Sequence, residues 1–314
     1  MNLHEHPDDF HDLQELTAKY IGIPAVAVER DYYIVMILEK LAQSPYADSC
    51  VFKGGTSLSK CYPGSIERFS EDIDLTYIPQ TDLANKQYDR RLKQIEKHLS
   101  DGFRLEKITM ERNDRNKSSY VWFNDLSGAN GRIKLEIGSS IRPDPYSPMT
   151  MNTYIQEYLE SNGMLQEIEE FGLSPVTVNT LAIERTFIDK VMSVKRHAIC
   201  GTLTEKIRHV YDITMLFQRA DIRKFLQDKN ELKRLLQLTK QTDSFYLEKR
   251  NLPNNYCPLG PYDFDTWKDN FSNNAQQRYE KLHETLLYTD KKQDFNLALK
   301  TFEDLNEIFA SIGE

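Results

Sequence analysis

The order of apolar and polar positions divides this chain into a mixed first half and a helical second half. Residues 25–41, AVAVERDYYIVMILEKL, put Tyr32, Val35, Met36, Leu38 and Leu41 on one side of a helix that Ser44-Pro45 ends. Cys50-Val51-Phe52 is a short apolar run that closes on Gly54-Gly55, and the polar segment Thr56 to Lys60 after it has the look of a helix start. Ser70 to Ile78, SEDIDLTYI, alternates as a strand does. Side chains two apart on a strand share a face, so Asp72 and Asp74 stand together, with Ile73, Leu75 and Tyr77 opposite. Residues 82–99 form a charged helix whose basic side carries Lys86, Arg90, Arg91, Lys93 and Lys97. That side reads as a solvated helix face, with a nucleic-acid contact as the alternative. Phe103–Met110, Ser119–Asn124 and Gly131–Ile137 are strand-like, with turns at Asn113-Asp114 and at Gly128 to Gly131. An antiparallel meander added to the first strands, with helices around it, predicts an α+β layer.

Further on, Arg142 to Ser147 is broken twice by proline, Met149 to Phe171 reads as helical or mixed, and Pro175 to Val178 as a short strand or linker. The domain boundary is placed there, giving an α+β domain over 1–175 and an α-helical domain over 176–314. In the second, Thr180–Ile199 has a core stripe of Leu181, Phe187, Ile188, Val191, Met192 and Val194, and Glu205–Phe217 is the next helix. Pro253, Pro258 and Pro261 mark one loop, and no internal repeat is present.

Composition narrows the setting. Of 314 residues 28% are charged, and no apolar run approaches the ~18 residues that a membrane span requires. The N-terminal stretch MNLHEHPDDFHD is acidic and polar, unlike a signal peptide, and its His4, His6 and His11 read as a solvated terminus rather than a metal site. Cys50, Cys61, Cys200 and Cys257 are scattered without a CxxC pair, as expected of free thiols in a reducing cytoplasm. A net charge of −8 argues against a surface that coats nucleic acid broadly and leaves room for a local basic groove.

The chemistry concentrates between Gly54 and Asp74. Two carboxylates that repel each other need a cation between them, and an all-oxygen set suits Mg²⁺ completed by substrate phosphates. A glycine pair at a helix start lets a triphosphate approach the backbone and the positive helix end.

Gly-Gly-Thr-Ser followed by an Asp-x-Asp strand resembles the DNA polymerase β-like nucleotidyltransferases, and the string KGGTSLSK…RFSEDIDL is similar to the AbiEii/AbiGii toxin family, whose relatives include the MenT toxins. The 16 residues between Gly55 and Asp72 exceed the superfamily's usual spacer, an insert that the toxin branch tolerates. The resemblance covers roughly residues 50–215. It implies a polymerase-β-like nucleotidyltransferase domain with a mixed or antiparallel sheet, followed by a helical domain. An NTP would lie over Gly54, Gly55, Thr56 and Ser57, with Lys60 as a further phosphate contact and Mg²⁺ on Asp72 and Asp74. Glu136, on the strand KLEIG with Lys134 on its face, is the candidate third carboxylate; an exposed Lys–Glu pair is the plainer reading. Spacing alone makes Arg208 and Asp212 a structural pair on one helix face. The resemblance instead matches Glu184, Asp189-Lys190, Arg208 and Asp212 to family motifs. On that match Lys190 and Asp212 reach the nucleotide cleft, Lys190 on the triphosphate and Asp212 as a base or orienting carboxylate. Arg208 then either holds Asp212 or binds phosphate.

The implied activity is transfer of a nucleotide from an NTP to an acceptor such as the 3′ end of tRNA, by a toxin with a cognate antitoxin that acts in phage defence. The antitoxin is genetically adjacent and need not touch it. A basic surface around Lys190, Lys195, Arg196, His197, Lys206, Arg208 and His209 is the expected RNA contact, and no membrane partner is expected. Two other readings remain open, a kinase-like phosphoryl transfer and a nucleotide-binding module without catalysis. Ser57-Leu58-Ser59-Lys60 spells Ser-x-x-Lys, but no Lys-Thr-Gly follows, so it reads as chance. Phosphate on Ser70 would add charge beside two carboxylates that need a cation.

Overall fold

Cys50–Lys53 (β1) and Asp72–Tyr77 (β2) pair antiparallel at the centre of a seven-stranded sheet in this computed structural model. The other strands are Arg104–Lys107 (β3), Asn116–Asn124 (β4), Asn130–Gly138 (β5), Tyr146–Met151 (β6) and Val176–Leu181 (β7). Their order is β3-β4-β5-β2-β1-β7-β6. The sheet is mixed: β2 with β5 and β1 with β7 are parallel, and the remaining neighbours are antiparallel. The structure describes residues 1–81, 83–124, 130–140, 142–247 and 256–314, so the expected turn at Gly128–Gly131 and the loop around Pro253 lie partly outside the described residues.

The chain divides into two compact units that interleave along the sequence. The sheet unit comprises Met1–Cys61, Phe69–Ser139 and Tyr146–Leu181; the helical unit comprises Tyr62–Arg68, Ser140–Pro145 and Ala182–Glu314.

In the sheet unit, Pro7–Ile21 (α1), Ala25–Ala42 (α2), Gly54–Cys61 (α3), Asn85–Leu99 (α4), Tyr154–Ser161 (α5) and Leu165–Glu170 (α6) accompany the strands. Alternation sets which face is the core. Ile73, Leu75, Val121, Ile133, Leu135 and Ile137 are at most 1% exposed, whereas Asp72, Asp74, Lys134 and Glu136 between them are half-buried. The α2 ring of Tyr33 stacks on Phe123 of β4 at 4.1 Å, and α4 is tied to the same face through Glu96, which accepts from Ser119 and from Arg112.

The N-terminal stretch corrects the expectation of a solvated terminus. It forms α1, with Phe10, Leu13, Thr17 and Ala18 buried, and His4 Nδ1 meets the Tyr32 hydroxyl at 3.0 Å. Asp8, Asp9 and Asp12 dilute a stripe that nonetheless has helical spacing. Pro145 and Pro148 hid β6, which is an edge strand, where a missing N–H is tolerated. Val176–Leu181 is a strand of the sheet rather than a linker.

The helical unit contains Ile183–Ile199 (α7), Ile207–Phe217 (α8), Ala220–Gln227 (α9), Lys229–Leu247 (α10), Asn273–Glu280 (α11) and Phe295–Ala310 (α12). The α7 stripe of Phe187, Ile188, Val191 and Val194 is fully buried, as are Val210, Ile213 and Leu216 of α8. An aromatic cluster of Trp267, Phe264, Phe302 and Tyr262 closes the C-terminal part, with Trp267 Nε1 donating to the Tyr262 carbonyl at 2.8 Å. Among the described residues no helix is long and apolar enough to cross a membrane.

Gly131 marks a tight spot in the sheet unit, because a Cβ there would overlap the Phe123 ring. Gly131→Ala is expected to push Phe123 off Tyr33 and cost about 1–3 kcal/mol, read from the urea midpoint of unfolding.

Candidate active site

The turn from β1 into α3 fixes the geometry of the site. Gly54 has φ +90°, a conformation that side chains other than glycine adopt at a cost. It is also too close to β2 for any side chain. A Cβ on Gly54 would overlap the Asp74 carboxylate and stand 3.2 Å from its Cγ. The antiparallel register that brings Lys53 opposite Asp74 produces this approach. One of the two paired carboxylates therefore rests directly on the glycine turn.

Hydroxyls brace the turn from within. Thr56 Oγ1 donates to the Asp72 carbonyl at 2.5 Å and lies 3.0 Å from Ser70 Oγ, while Ser57 Oγ donates to the Gly54 carbonyl at 3.0 Å. Thr56 and Ser57 are 2% and 0% exposed, so their side chains shape the turn, and what it presents outward is backbone. The first N–H groups of α3 have no partner within the helix. Lys60 is likewise engaged. Its ammonium lies 2.6 Å from Asp31 Oδ1 and 4.0 Å from the Tyr154 ring centroid, and it is buried. Burial pushes the Asp31 carboxyl up, partly offset by Lys60 and by the Tyr154 N–H. The pair anchors α3 to α2 and leaves Lys60 no free charge for a phosphate.

On the neighbouring strand, Glu136 is in register with Asp74, and Lys134 with Asp72. Adjacent strands are about 4.8 Å apart, so three carboxylates share one patch of the sheet. Lys134 Nζ lies 2.6 Å from Glu111 and 3.4 Å from Glu136. Burial would lower the Lys134 pKa, but these two carboxylates outweigh it and raise the value. The Lys–Glu pair of the plainer reading is thus present, and Glu136 also flanks Asp74. Among the described residues no three His, Cys, Asp or Glu side chains converge as a complete metal cage. Two carboxylates on one strand face are an oxygen donor set that fits Mg²⁺, which keeps waters and substrate phosphates in its shell.

In the helical unit Asp212 is fully buried between two cations. Arg68 grips it with Nε at 2.6 Å and Nη2 at 2.7 Å, and Lys190 Nζ stands 2.8 Å from Oδ2. Arg208 is exposed, so the expected Arg208–Asp212 pair is corrected: Arg68 and Lys190 take that place. Although burial would raise the Asp212 pKa, Arg68 and then Lys190 hold it well below the usual carboxylate range. A carboxylate so stabilised as an anion is a poor proton acceptor. Of the two expected roles, orienting suits it and base does not. Asp189 is held by Arg185 at 2.8 Å and Thr239 at 2.9 Å, and Arg185 also donates to the carbonyls of Arg142 and Asp144.

Arg68 was missed in the sequence, though its place in RFSED, just ahead of the Asp-x-Asp strand, was a signal. Most of the basic surface expected around α7 and α8 is not exposed. Lys190 and Lys195 are buried, and Arg196 pairs with Asp243 at 2.9 Å. The His197 pKa falls to about 4, first through burial and then through Arg196. Five cations and two histidines close in sequence do not make a cationic face.

Residues 36–310 match a family described as "Nucleotidyl transferase AbiEii toxin, Type IV TA system". No curated protein matches the sequence. Among solved structures, MenT4, a nucleotidyltransferase toxin from Mycobacterium tuberculosis H37Rv, is similar with a TM-score of 0.50 and 18% identity over 95% of this chain and 98% of that one. JHP933 from Helicobacter pylori gives a TM-score of 0.40 and 17% identity over 82% of this chain and 94% of that one. The likeness to MenT4 shows a shared α+β fold.

Two substitutions test these arrangements. Gly54→Ala is expected to cost about 1–3 kcal/mol in urea unfolding through its backbone strain, and to weaken NTP binding by displacing Asp74. Asp212→Asn leaves Arg68 and Lys190 buried beside a neutral amide and should cost about 3–5 kcal/mol at pH 7. Because the folded Asp212 pKa is depressed, its stabilisation is present above the unfolded value of about 3.9 and fades as pH falls below it. The wild type should therefore lose stability below about pH 4 more steeply than Asp212→Asn in acid titrations followed by circular dichroism.

Proposed function

The chain belongs to the AbiEii family of nucleotidyl transferase toxins of type IV toxin–antitoxin systems, and from that premise we propose an Mg²⁺-dependent transfer of NMP from an NTP to the 3′ end of an RNA acceptor, tRNA in particular. The observation that carries this reading is the contact of Asp74 with the Gly54 turn, with Asp72 beside it on the same strand face.

Asp72 and Asp74 would hold the ion, whose charge would offset that of the triphosphate and polarise the phosphorus under attack. Gly54 and Gly55 let the phosphates approach the backbone, and the N–H groups at the start of α3 donate to them. The acceptor hydroxyl oxygen forms a bond to the α-phosphorus. The bond to the oxygen bridging to the β-phosphorus breaks, and pyrophosphate leaves with that electron pair. Glu136 takes the hydroxyl proton. Positioning supplies the rate, since a bound hydroxyl in line with the α-phosphorus converts a bimolecular encounter into a local one.

Lys190 and Asp212 enter the proposal as residues the activity requires, with Asp212 orienting Lys190 and Arg68. Exposed Arg208 enters as a phosphate contact, the role left to it once Asp212 is paired elsewhere. The proposal extends to a toxin that arrests growth in the cytoplasm during phage infection and is opposed by a cognate antitoxin.

Purified protein with total RNA and α-labelled NTPs is expected to leave label on an RNA band, and EDTA should abolish the transfer. Asp72→Asn and Asp74→Asn should each lower it by roughly two orders of magnitude or more, with thermal unfolding little changed. Label passed to an acceptor only from the γ-position would replace this reading with phosphoryl transfer.

A further inference from the structure

The sheet face that carries Asp72 and Asp74 continues onto three strands whose outward side chains include two arginines and two aromatic rings, alongside Glu106 and Glu136. Register places Arg104, Trp122 and Arg132 in one row across β3, β4 and β5, and Tyr120 in the next row, opposite Lys134. That second row runs on through Lys134 to Asp72. The Arg104 guanidinium lies 4.4 Å from the Trp122 ring centroid, and that of Arg132 lies 4.1 Å from the Tyr120 ring and 5.4 Å from Trp122. Both arginines are exposed, both rings are half-buried, and neither arginine pairs with a carboxylate among the described residues. Trp122 Nε1 donates to Glu106 at 2.9 Å, which fixes the plane of the indole.

We propose that this row is a stacking platform for the unpaired end of the acceptor RNA, with Trp122 and Tyr120 holding bases and Arg104 and Arg132 holding the flanking phosphates. The inference rests on the transferase reading for the identity of the acceptor, and its own observation is the ladder. An aromatic ring whose face already takes a guanidinium plane offers the same face to a base, because both are flat and stack on it. The displaced arginines then stay within reach of the phosphates on either side, so the exchange keeps its charges matched. Distance suits the reaction. Tyr120 lies two strands, about 10 Å, across the sheet from Asp72, and Trp122 is one row, about 7 Å, further along. Bases held there leave a terminal hydroxyl on the same face as the carboxylate pair. A duplex presents edges rather than ring faces, so a single strand is the fitting occupant.

Fluorescence gives a readout independent of transfer. The chain has two tryptophans, and Trp267 is 1% exposed, so quenching by a ligand on this face reports Trp122. A single-stranded oligoribonucleotide of about six residues is expected to quench the wild type and to lose binding as salt rises. Trp122→Phe should abolish the quench and keep most of the affinity, measured by anisotropy of the labelled oligonucleotide. Trp122→Leu and Tyr120→Leu should each weaken binding roughly tenfold. Arg104→Gln and Arg132→Gln should each flatten the slope of log affinity against log salt by about 0.7. Unchanged affinity in folded Trp122→Leu overturns the proposal, and so does quenching by NTP alone with none by the oligonucleotide. Label transfer by the wild type with an unaffected Trp122→Leu would sink the platform and leave the transferase standing. Absence of any transfer, with the oligonucleotide effects intact, would do the reverse.

Discussion

The carboxylate of Asp74 resting on Gly54 is the constraint from which the rest of the sheet unit follows. It requires β1 and β2 to be antiparallel in the register that sets Lys53 opposite Asp74. It also requires that nothing larger than a hydrogen project from residue 54. Thr56, donating to the Asp72 carbonyl, ties the first residue of β2 to α3, and the buried Lys60–Asp31 pair ties the far end of α3 to α2. The helix start is thereby held at both ends. A site that binds a polyanion needs this rigidity, because a donor that must reorganise on binding gives back part of the electrostatic gain. Lys60 contributes by position, not by contact.

Asp212 shows a different economy of charge. Burying one carboxylate unpaired is strongly unfavourable, and burying it with one cation often does little better than break even. Here two cations, Arg68 and Lys190, flank it. For stability alone, an apolar trio of similar volume would serve at least as well. The arrangement gains its sense from what it does to the cations. Arg68 is locked by a two-point grip, and Lys190 loses the rotational freedom of its long stem.

What the sequence disclosed depended on how local each signal was. The Asp72/Asp74 face, the turn at Gly54-Gly55 and the helix at residues 25–42 are set by neighbours in the chain, and their patterns are written there in period two or period 3.6. The α+β class followed from the same patterns. The terminal helix α1 escaped because three aspartates interrupt its stripe, and β6 because prolines argue against a strand except at an edge. The Arg68 partner of Asp212 could not be read from helical spacing. Helical spacing favours the residue four positions away, Arg208, whereas the actual partner, Arg68, is 144 positions distant. Tertiary pairing overrode a local preference worth only about 0.2–0.5 kcal/mol. Thr56, Ser57 and Lys60 illustrate a related limit, since residue type suggested phosphate ligands and packing turned them inward.

The same lesson governs where a nucleic acid could lie on an acidic protein. A count of basic residues favoured α7 and α8, yet packing has consumed most of those charges. Lys195 is buried against the carbonyls of Gly260 and Pro261, and Arg196 is paired with Asp243. Cations that fold the protein are unavailable to a partner. On the sheet, alternation works the other way: every second residue of β3, β4 and β5 must leave the core, and those positions include Arg104, Trp122, Tyr120 and Arg132 together with Glu106, Lys134 and Glu136. A net charge of −8 is then compatible with binding a polyanion, because the field a phosphate meets is set by nearby unneutralised charge within about 10 Å at ordinary ionic strength. Strand geometry, more than composition, determines which charges those are.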